Sequence, residues 1–158
     1  MANILTACPE CLILNGKIFG VNEIVQNPPP LHEHCKCSII PLEAIQAGLA
    51  TEQGENGVDL YLKQHGVLPE NYITKEQAMQ LGWVSWKGNL SSVAPDKLIG
   101  GDIYRNLNGK LPTKVGRLWH EADLTFDGNC RSDARILYSN DDLIFVTYSH
   151  YENYYEID

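Results

Sequence analysis

Residues 119–151 read WHEADLTFDGNCRSDARILYSNDDLIFVTYSHY, and this stretch decides the fold. It contains three runs of β-branched, aromatic and aliphatic residues, separated by polar segments with glycine, asparagine and aspartate. Such runs, bounded by turn residues, are typical of β-strands. They predict strands over Leu118–Leu124, Ala134–Tyr138 and Leu143–Tyr148, with a hairpin turn at 139–141. We therefore expect an antiparallel sheet, because strands joined by short turns pair in that way.

Helical signals precede these strands. Apolar residues from Val58 onward have helical spacing and stop at Gly66, where a left-handed C-cap is expected. A capping box at residues 74–77 (TKEQ) predicts a second helix, which ends before Gly82. A third short helix is predicted over Asn89–Val93.

Two further strand-like runs, Leu98–Ile103 and Tyr154–Ile157, bring the expected number of strands to five. Helices first and antiparallel strands later indicate an α+β fold, in which N-terminal helices pack on a five-stranded antiparallel sheet. The side chains expected in the core are Trp83, Trp119, Leu137 and Ile144.

The N-terminal segment is rich in cysteine and histidine. Four of the five cysteines lie within the first 37 residues. The candidate metal ligands are Cys8, Cys11, His32, His34, Cys35 and Cys37. Thiolates and imidazoles in such a cluster suit a tetrahedral structural zinc site, and the bound metal would supply folding energy that a short segment otherwise lacks. The alternative is a loosely ordered, reduced tail, and the choice among the later four ligands stays open.

The sequence indicates three parts. Residues 41–50 (PLEAIQAGLA) predict a short helix, because Pro41 suits a first helical turn. The polar, glycine-containing TEQGENG follows and indicates a boundary near residues 50–55. We therefore expect a zinc-binding segment over 1–40, a short helix and linker over 41–55, and the main domain over 56–158.

Composition and charge limit the classes of function. The net charge of −8 argues against indiscriminate nucleic-acid binding, which depends on cationic patches. It does not exclude a local basic cleft on an acidic protein. No run of about 18 apolar residues is present, so we expect no membrane span. The N-terminus lacks the basic and apolar regions of a secretory signal, which favours a cytoplasmic protein or one delivered by another route.

Several residues in and around the opening stretch have the chemistry to cut a phosphodiester without a metal. Such a reaction needs a carboxylate to take a proton, an imidazolium to return one, and fixed cations around the phosphate. The candidates are Glu121, His150, Lys75, Arg131 and Arg135. Strand alternation puts Trp119, Glu121 and Asp123 on one face and His120, Ala122 and Leu124 on the other.

Each of these residues also has an ordinary alternative. The carboxylates could belong to a solvated strand face, and the two arginines could be ordinary surface partners of Asp123 and Asp133. His150 could be a stacked, half-buried ring among tyrosines. Lys75 in the first turn of a helix could be a solvated surface residue, since a cation is unfavourable beside the positive end of the helix dipole.

Residues 56–158 closely resemble the barnase-like bacterial ribonucleases. The shared segments include LPENYITKEQAMQLGWVSWKGNL (68–90), VAPDKLIGGDIYRN (93–106), RILYS (135–139) and the final HY (150–151). The resemblance spans about 100 residues with hardly a change in length. It implies the microbial ribonuclease fold, in which N-terminal helices precede a five-stranded antiparallel sheet that carries the active site.

By position, the resemblance implies a role for each candidate. Glu121 matches the general base that takes the ribose 2′-hydroxyl proton, and His150 matches the general acid. The cations that match those around the scissile phosphate are Lys75, Arg131 and Arg135. Tyr151 matches the aromatic residue beside the acid, and Asp123 matches the acid that orients the arginines. The implied reaction is a metal-independent transesterification to a 2′,3′-cyclic phosphate, followed by slow hydrolysis.

The resemblance also implies a base-binding loop, here Tyr104, Arg105, Asn106, Leu107, Asn108 and Gly109, of which Arg105, Asn106, Leu107 and Asn108 are the candidate base-binding residues. In the family this loop supplies a glutamate that reads the guanine edge, but Asn108 stands in that place and Leu107 replaces the usual arginine. An amide cannot accept two hydrogen bonds as a carboxylate can, so guanine preference is not expected to follow the family. Ala134 likewise replaces an aspartate that is common before the last arginine.

Residues 6–40 resemble the C-terminal end of phage minor head (head-morphogenesis) proteins. The matching features are a CxxC motif, a short turn with glycine and the final segment PPLHEHCKC (29–37). The combined interpretation is a ribonuclease toxin, joined to a zinc-stabilised segment of a phage-like particle. Its expected partners are RNA, a barstar-like acidic inhibitor and that particle. The alternative is a particle-associated interaction module whose nuclease domain is inactive.

Overall fold

The structure is a computed structural model that describes Leu31, Glu33, Cys35 and residues 43–125 and 131–158. The chain divides into two compact units, one with Met1–Leu42 and Asn106–Arg117, the other with Glu43–Arg105 and Leu118–Asp158. Within the described ranges, none of the helices is both long and apolar enough to cross a membrane. The larger unit contains the helices and the sheet.

Three helices form where the sequence predicts them. Helix α1 (Val58–His65) ends at Gly66, whose φ of 70° is left-handed and whose N–H donates to Leu62 O. Helix α2 (Lys75–Gln80) opens with the complete capping box of Thr74 and Gln77. Helix α3 (Leu90–Val93) is a single turn, and 3₁₀ turns lie at Gly54–Asn56 and Ser85–Lys87.

The sheet has seven strands rather than the predicted five. The strands are β1 (Ala44–Ile45), β2 (Tyr72–Ile73), β3 (Leu98–Tyr104), β4 (Trp119–Asp123), β5 (Arg135–Ser139), β6 (Ile144–Thr147) and β7 (Tyr155–Ile157). Strands β3 to β7 pair antiparallel in chain order, as predicted. Strand β1 is added in parallel beside β7, and β2 in parallel beside β3. The predicted number of strands was wrong because a strand of two residues is too short to show an alternating pattern.

The helix predicted over residues 41–50 is wrong for the part that the structure describes. Ala44–Ile45 form β1, and turns follow up to Ala50. The backbone of this segment pairs with the end of the chain: Glu156 N donates to Glu43 O at 2.8 Å, and Asp158 N donates to Ile45 O at 3.0 Å. Pairing with β7 thus satisfies backbone groups that a helix would have satisfied locally, and it overrides helix propensity.

The larger of two hydrophobic clusters among the described residues lies on the face of the sheet that packs against α1. Its buried side chains include Val58 and Leu62 from α1, Ala122 from β4, and Leu124, which directly follows β4. The other face of β4 carries Glu121, which is the alternation that the sequence predicts. All four predicted core residues, Trp83, Trp119, Leu137 and Ile144, are buried. The face of β4 that carries Glu121 also carries the buried Trp119, and Leu137 lies opposite Glu121 on β5, so the charged side chains of this face are set among apolar ones.

Candidate active site

The site is built around the carboxylate of Glu121, in the middle of β4. Only 8% of this residue is exposed. Lys75 Nζ lies 2.5 Å from one carboxylate oxygen, and the Tyr151 hydroxyl donates to the other oxygen, also at 2.5 Å. A buried carboxylate is stable as an anion only when it is paired and hydrogen-bonded, and Glu121 has both kinds of partner.

Helix α2 brings Lys75 to this carboxylate from 46 residues earlier in the chain. Lys75 occupies the first turn of α2, and its backbone N–H donates to Asp102 on β3 at 3.0 Å. The ion pair with Glu121 offsets the unfavourable position of a cation at the helix N-terminus. Lys75 is thus half-buried and ion-paired, with 34% of its side chain exposed.

A second carboxylate, Asp123, holds both arginines. It is completely buried, and Arg131 donates to it from Nε at 2.8 and 3.0 Å and from a terminal nitrogen at 2.6 Å. Arg135 Nε lies 3.2 Å from the same carboxylate, within ion-pair distance but not aligned for a hydrogen bond. Arg135 also donates to the carbonyl oxygens of Ser132 and Ala134. Both arginines thus pair with Asp123, one of the two partners that the alternative named, but Asp123 is buried and not at the surface.

The surroundings keep Glu121 ionised. Burial of the carboxylate acts to raise its pKa, but the hydrogen bonds from Lys75 and Tyr151 and the charges of Lys75 and Arg131 outweigh burial and lower the pKa. Burial raises the pKa of Tyr151, and its hydrogen bond to Glu121 raises it further, so the hydroxyl keeps its proton. For Arg131, burial acts to lower the pKa, but Asp123 dominates and the pKa is raised.

His150 and Tyr151 lie in the loop between β6 and β7, and both have left-handed backbones, with φ of 49° and 71°. The loop is held by Thr147, whose hydroxyl oxygen accepts from Tyr151 N at 3.1 Å. The ring of His150 is exposed and centred 5.0 Å from that of Tyr151, which in turn bonds to Glu121. The Tyr151 ring therefore separates His150 from the Glu121 carboxylate, to which the Tyr151 hydroxyl donates.

Comparison with known proteins identifies the family. A family model described as ribonuclease matches residues 55–158. The chain belongs to the ribonuclease family. Relatives called ribonuclease include one from Heyndrickxia coagulans, 49% identical over 102 residues that make up 65% of this chain and 94% of the relative. Another, from Bacillus pumilus, is 45% identical over 122 residues, or 77% of this chain and 75% of the relative. A third, from Bacillus intermedius, is 49% identical over 102 residues, or 65% of this chain and 63% of the relative.

Family membership confirms the resemblance that the sequence predicts for the main domain, and it makes the chain an RNA-cleaving enzyme. The match begins at residue 55 and gives no support to the resemblance between the cysteine-rich segment and phage head proteins. The individual catalytic roles and the division into three parts stay predictions.

The predicted base-binding loop follows β3. Arg105 is exposed, and Asn106–Arg117 belong to the other compact unit. Within that unit, the Asn106 side chain donates to Leu111 O at 2.8 Å and accepts from Leu111 N at 3.1 Å, which closes the loop on itself. Leu107 is 88% exposed, and Asn108 accepts from Lys110 N at 3.2 Å. The loop therefore presents an aliphatic side chain to solvent where the family usually has an arginine.

Two more residues lie beside the site: Asp102, which the sequence did not indicate, and Tyr104, which the sequence placed only in the base-binding loop. The ring of Tyr104 stacks on Tyr151 at 5.2 Å, and its hydroxyl lies 2.9 Å from that of Tyr154. Asp102 is opposite Glu121 in the β3–β4 pairing and accepts from Lys75 N. A bulge between Gly100 and Asp102 shifts the register of β3, so simple alternation along LIGGDIY does not show which side chains face the site.

The predicted zinc ligands lie outside the described residues, except for the half-buried Cys35. In the portion of the chain that the structure describes, no three histidine, cysteine, aspartate or glutamate side chains cluster closely enough to hold a metal ion. The zinc site at Cys8, Cys11, His32, His34, Cys35 and Cys37 therefore stays a prediction.

Proposed function

We propose that the chain is a metal-independent endoribonuclease that cleaves single-stranded RNA by transesterification, with Glu121 as general base and His150 as general acid. The observation that carries this proposal is the buried Glu121 carboxylate, ion-paired with Lys75 and hydrogen-bonded by Tyr151. A general base must be unprotonated at working pH and fixed within reach of the proton it takes. The family match and the nearness of His150 to Tyr151 support the same assignment.

In the proposed reaction, Glu121 accepts the proton of the ribose 2′-hydroxyl while the 2′-oxygen attacks the adjacent phosphorus. The bond to the 5′-oxygen breaks, and that oxygen takes a proton from His150. The products are a 2′,3′-cyclic phosphate and a 5′-hydroxyl, and cyclic phosphate hydrolysis follows with the two proton roles reversed. Lys75, Arg131 and Arg135 stabilise the extra negative charge on the phosphate oxygens, because charge in a water-poor site gains most from donors that are already oriented.

The test is cleavage of a fluorogenic RNA in excess chelator. Wild-type protein should cleave it, and Glu121→Gln and His150→Ala should each lose on the order of 10²–10⁴ in kcat/KM. Glu76→Gln and His65→Ala, at exposed positions on α2 and α1, are matched controls and should keep wild-type rates. Failure of clean wild-type protein to cleave, or full activity of Glu121→Gln, would refute the assignment.

We also propose that the enzyme is a toxin with an acidic, barstar-like inhibitor. Free ribonuclease activity would harm the producing cell, and the cationic group of Lys75, Arg131 and Arg135 is the part of this acidic chain that suits an acidic partner. Expression of the wild-type chain should arrest growth, and co-expression of such an inhibitor should restore it. Growth arrest by Glu121→Gln equal to that by wild type would refute a toxic role for the nuclease.

For the N-terminal segment, we propose a structural zinc site and association with a phage-like particle. The support is the number and type of ligands in its sequence. Elemental analysis should find about one zinc per chain, which Cys8→Ser/Cys11→Ser should lose while RNA cleavage is kept. Absence of zinc from the wild-type protein would refute the site.

A further inference from the structure

The segment 43–51, here called the strap, is hydrogen-bonded both to helix α1 and to strand β7. It pairs with β7 through Ala44 and Ile45, and Ala47 N then donates to Asp158 O at 3.0 Å. From there it turns toward α1, with Gly48 in a left-handed conformation at φ 88°. The strap is thus an added edge of the sheet that continues across the end of β7.

A buried carboxylate on α1 holds the second half of the strap. Asp59 is completely buried. One of its oxygens accepts from Gly48 N at 2.7 Å and Ala50 N at 3.1 Å, and the other accepts from the Thr51 hydroxyl at 3.3 Å. A buried carboxylate costs much free energy unless hydrogen bonds satisfy it. Here the strap supplies those bonds, so the strap and α1 depend on each other.

Tyr148 ties the strap to the loop that carries His150. Its hydroxyl donates to Ala50 O at 2.7 Å, although the two residues are 98 positions apart. Its ring lies 6.1 Å from that of Tyr155. Burial raises the pKa of Tyr148, and the nearby charge of Asp59 raises it further, so the hydroxyl remains a donor.

The loop between Tyr148 and β7 needs such anchors. His150 and Tyr151 are successive non-glycine residues in left-handed conformations, which are sterically unfavourable. Strained backbone of this kind persists only where the surrounding structure enforces it. The strap holds the first residue of the loop through Tyr148 and the strand after the loop through β1.

We propose that the strap is a positioning element for the general acid, acting on His150 through Tyr148 and β7. This inference rests on the proposed function, because it concerns the group that protonates the leaving 5′-oxygen. Tyr148 and the strap do not touch the reacting atoms. They stabilise the one loop conformation in which His150 is beside the Tyr151–Glu121 pair.

The test compares two substrates of the full chain. One is the dinucleotide that the enzyme cleaves fastest, whose alkoxide leaving group needs a proton. The other is the matching nucleoside 3′-(4-nitrophenyl) phosphate, whose phenolate leaves without one. Tyr148→Phe removes only the hydroxyl bond to Ala50. It should lower kcat on the dinucleotide by about two- to tenfold, the factor that corresponds to one net hydrogen bond, and leave kcat on the aryl ester unchanged.

His150→Ala should show the same selectivity with a larger loss, and Tyr61→Phe, which deletes an exposed tyrosine hydroxyl on α1, should change neither rate. An equal fall on both substrates, or no fall with Tyr148→Phe, would overturn the inference. If Tyr148→Phe does not fold, Thr51→Val removes the strap's hydroxyl bond to Asp59. A wild-type rate for that variant on the dinucleotide would overturn the inference too. A wild-type protein that cleaves neither substrate would instead refute the proposed function.

Discussion

Replacement of Asp123 by asparagine tests how the arginines are held. Asp123 is completely buried and accepts three hydrogen bonds from Arg131, with Arg135 at ion-pair distance. Asparagine keeps the size of the side chain but removes the charge, and its amide group turns donors toward guanidinium groups that can only donate. Removal of one partner from a buried charge group costs about 3–5 kcal/mol, because the charge left behind stays unpaired and poorly solvated.

The two arginines do not contribute equally to that cost. Arg131 keeps 23% of its side chain exposed and can gain water, whereas Arg135 keeps only 5%. We therefore expect the loss in unfolding free energy to come mainly from Arg135 and to lie near the lower figure, about 3 kcal/mol. A loss of that size is a large part of the roughly 5–15 kcal/mol that stabilises a typical domain.

The assay is urea unfolding at pH 7, followed by tryptophan fluorescence, since Trp83 and Trp119 are buried. With a urea slope of about 2 kcal/mol/M, the midpoint of Asp123→Asn should fall by roughly 1.5 M. Asp142→Asn is the matched control: Asp142 is exposed with φ 69°, a conformation that asparagine adopts readily, so its midpoint should not move. A loss below about 1 kcal/mol for Asp123→Asn would refute the argument that its charge stabilises the buried arginines.

Three further variants test activity, and one of them also tests stability. Tyr151→Phe removes a hydrogen bond that lowers the pKa of Glu121, so the acid limb of the kcat/KM profile should move to higher pH; an unmoved limb would contradict the base role. The lowered pKa of Glu121 also affects stability. Because the pKa in the folded protein lies below the unfolded value of about 4.3, ionised Glu121 stabilises the fold above that pH, and this stabilisation is lost as the pH falls through the folded pKa. Tyr151→Phe should therefore lower the free energy of unfolding in urea at pH 7. Lys75→Gln should lower kcat/KM by on the order of 10²-fold and should also move the acid limb of the pH profile to higher pH. A wild-type rate would exclude Lys75 from the site. Asn108→Glu should increase cleavage after guanine by about tenfold or more relative to other bases, as read by sequencing the cut sites of a mixed RNA, whereas an unchanged pattern would exclude this position from base reading.

Elements with a local cause were predictable from the sequence. The capping box of α2 and the glycine that ends α1 act within a few residues, so their signals stand complete in the chain. The alternation along β4 likewise placed Glu121 opposite the apolar Ala122, because side chains of a strand point to opposite faces in turn. The long segments shared with the ribonuclease family identified the main domain, as the family match confirms.

Features that depend on distant parts of the chain were not predictable. The short strands β1 and β2 carry no pattern of their own, and β1 exists because the backbone of β7, over 100 residues later, offers it partners. Tyr104 joins the site through a ring contact that only the packing of β3 against the β6–β7 loop creates.

The sequence by itself determined which residue types were at hand for the chemistry, and on which strand face Glu121 would lie. Only the tertiary structure decided that Lys75 pairs with Glu121, that Asp123 holds both arginines, and that Tyr148 anchors the loop of His150. The physical reason is range. Helix caps and strand alternation arise from neighbouring residues, whereas a buried charge finds its partner only after the whole chain has folded and excluded water.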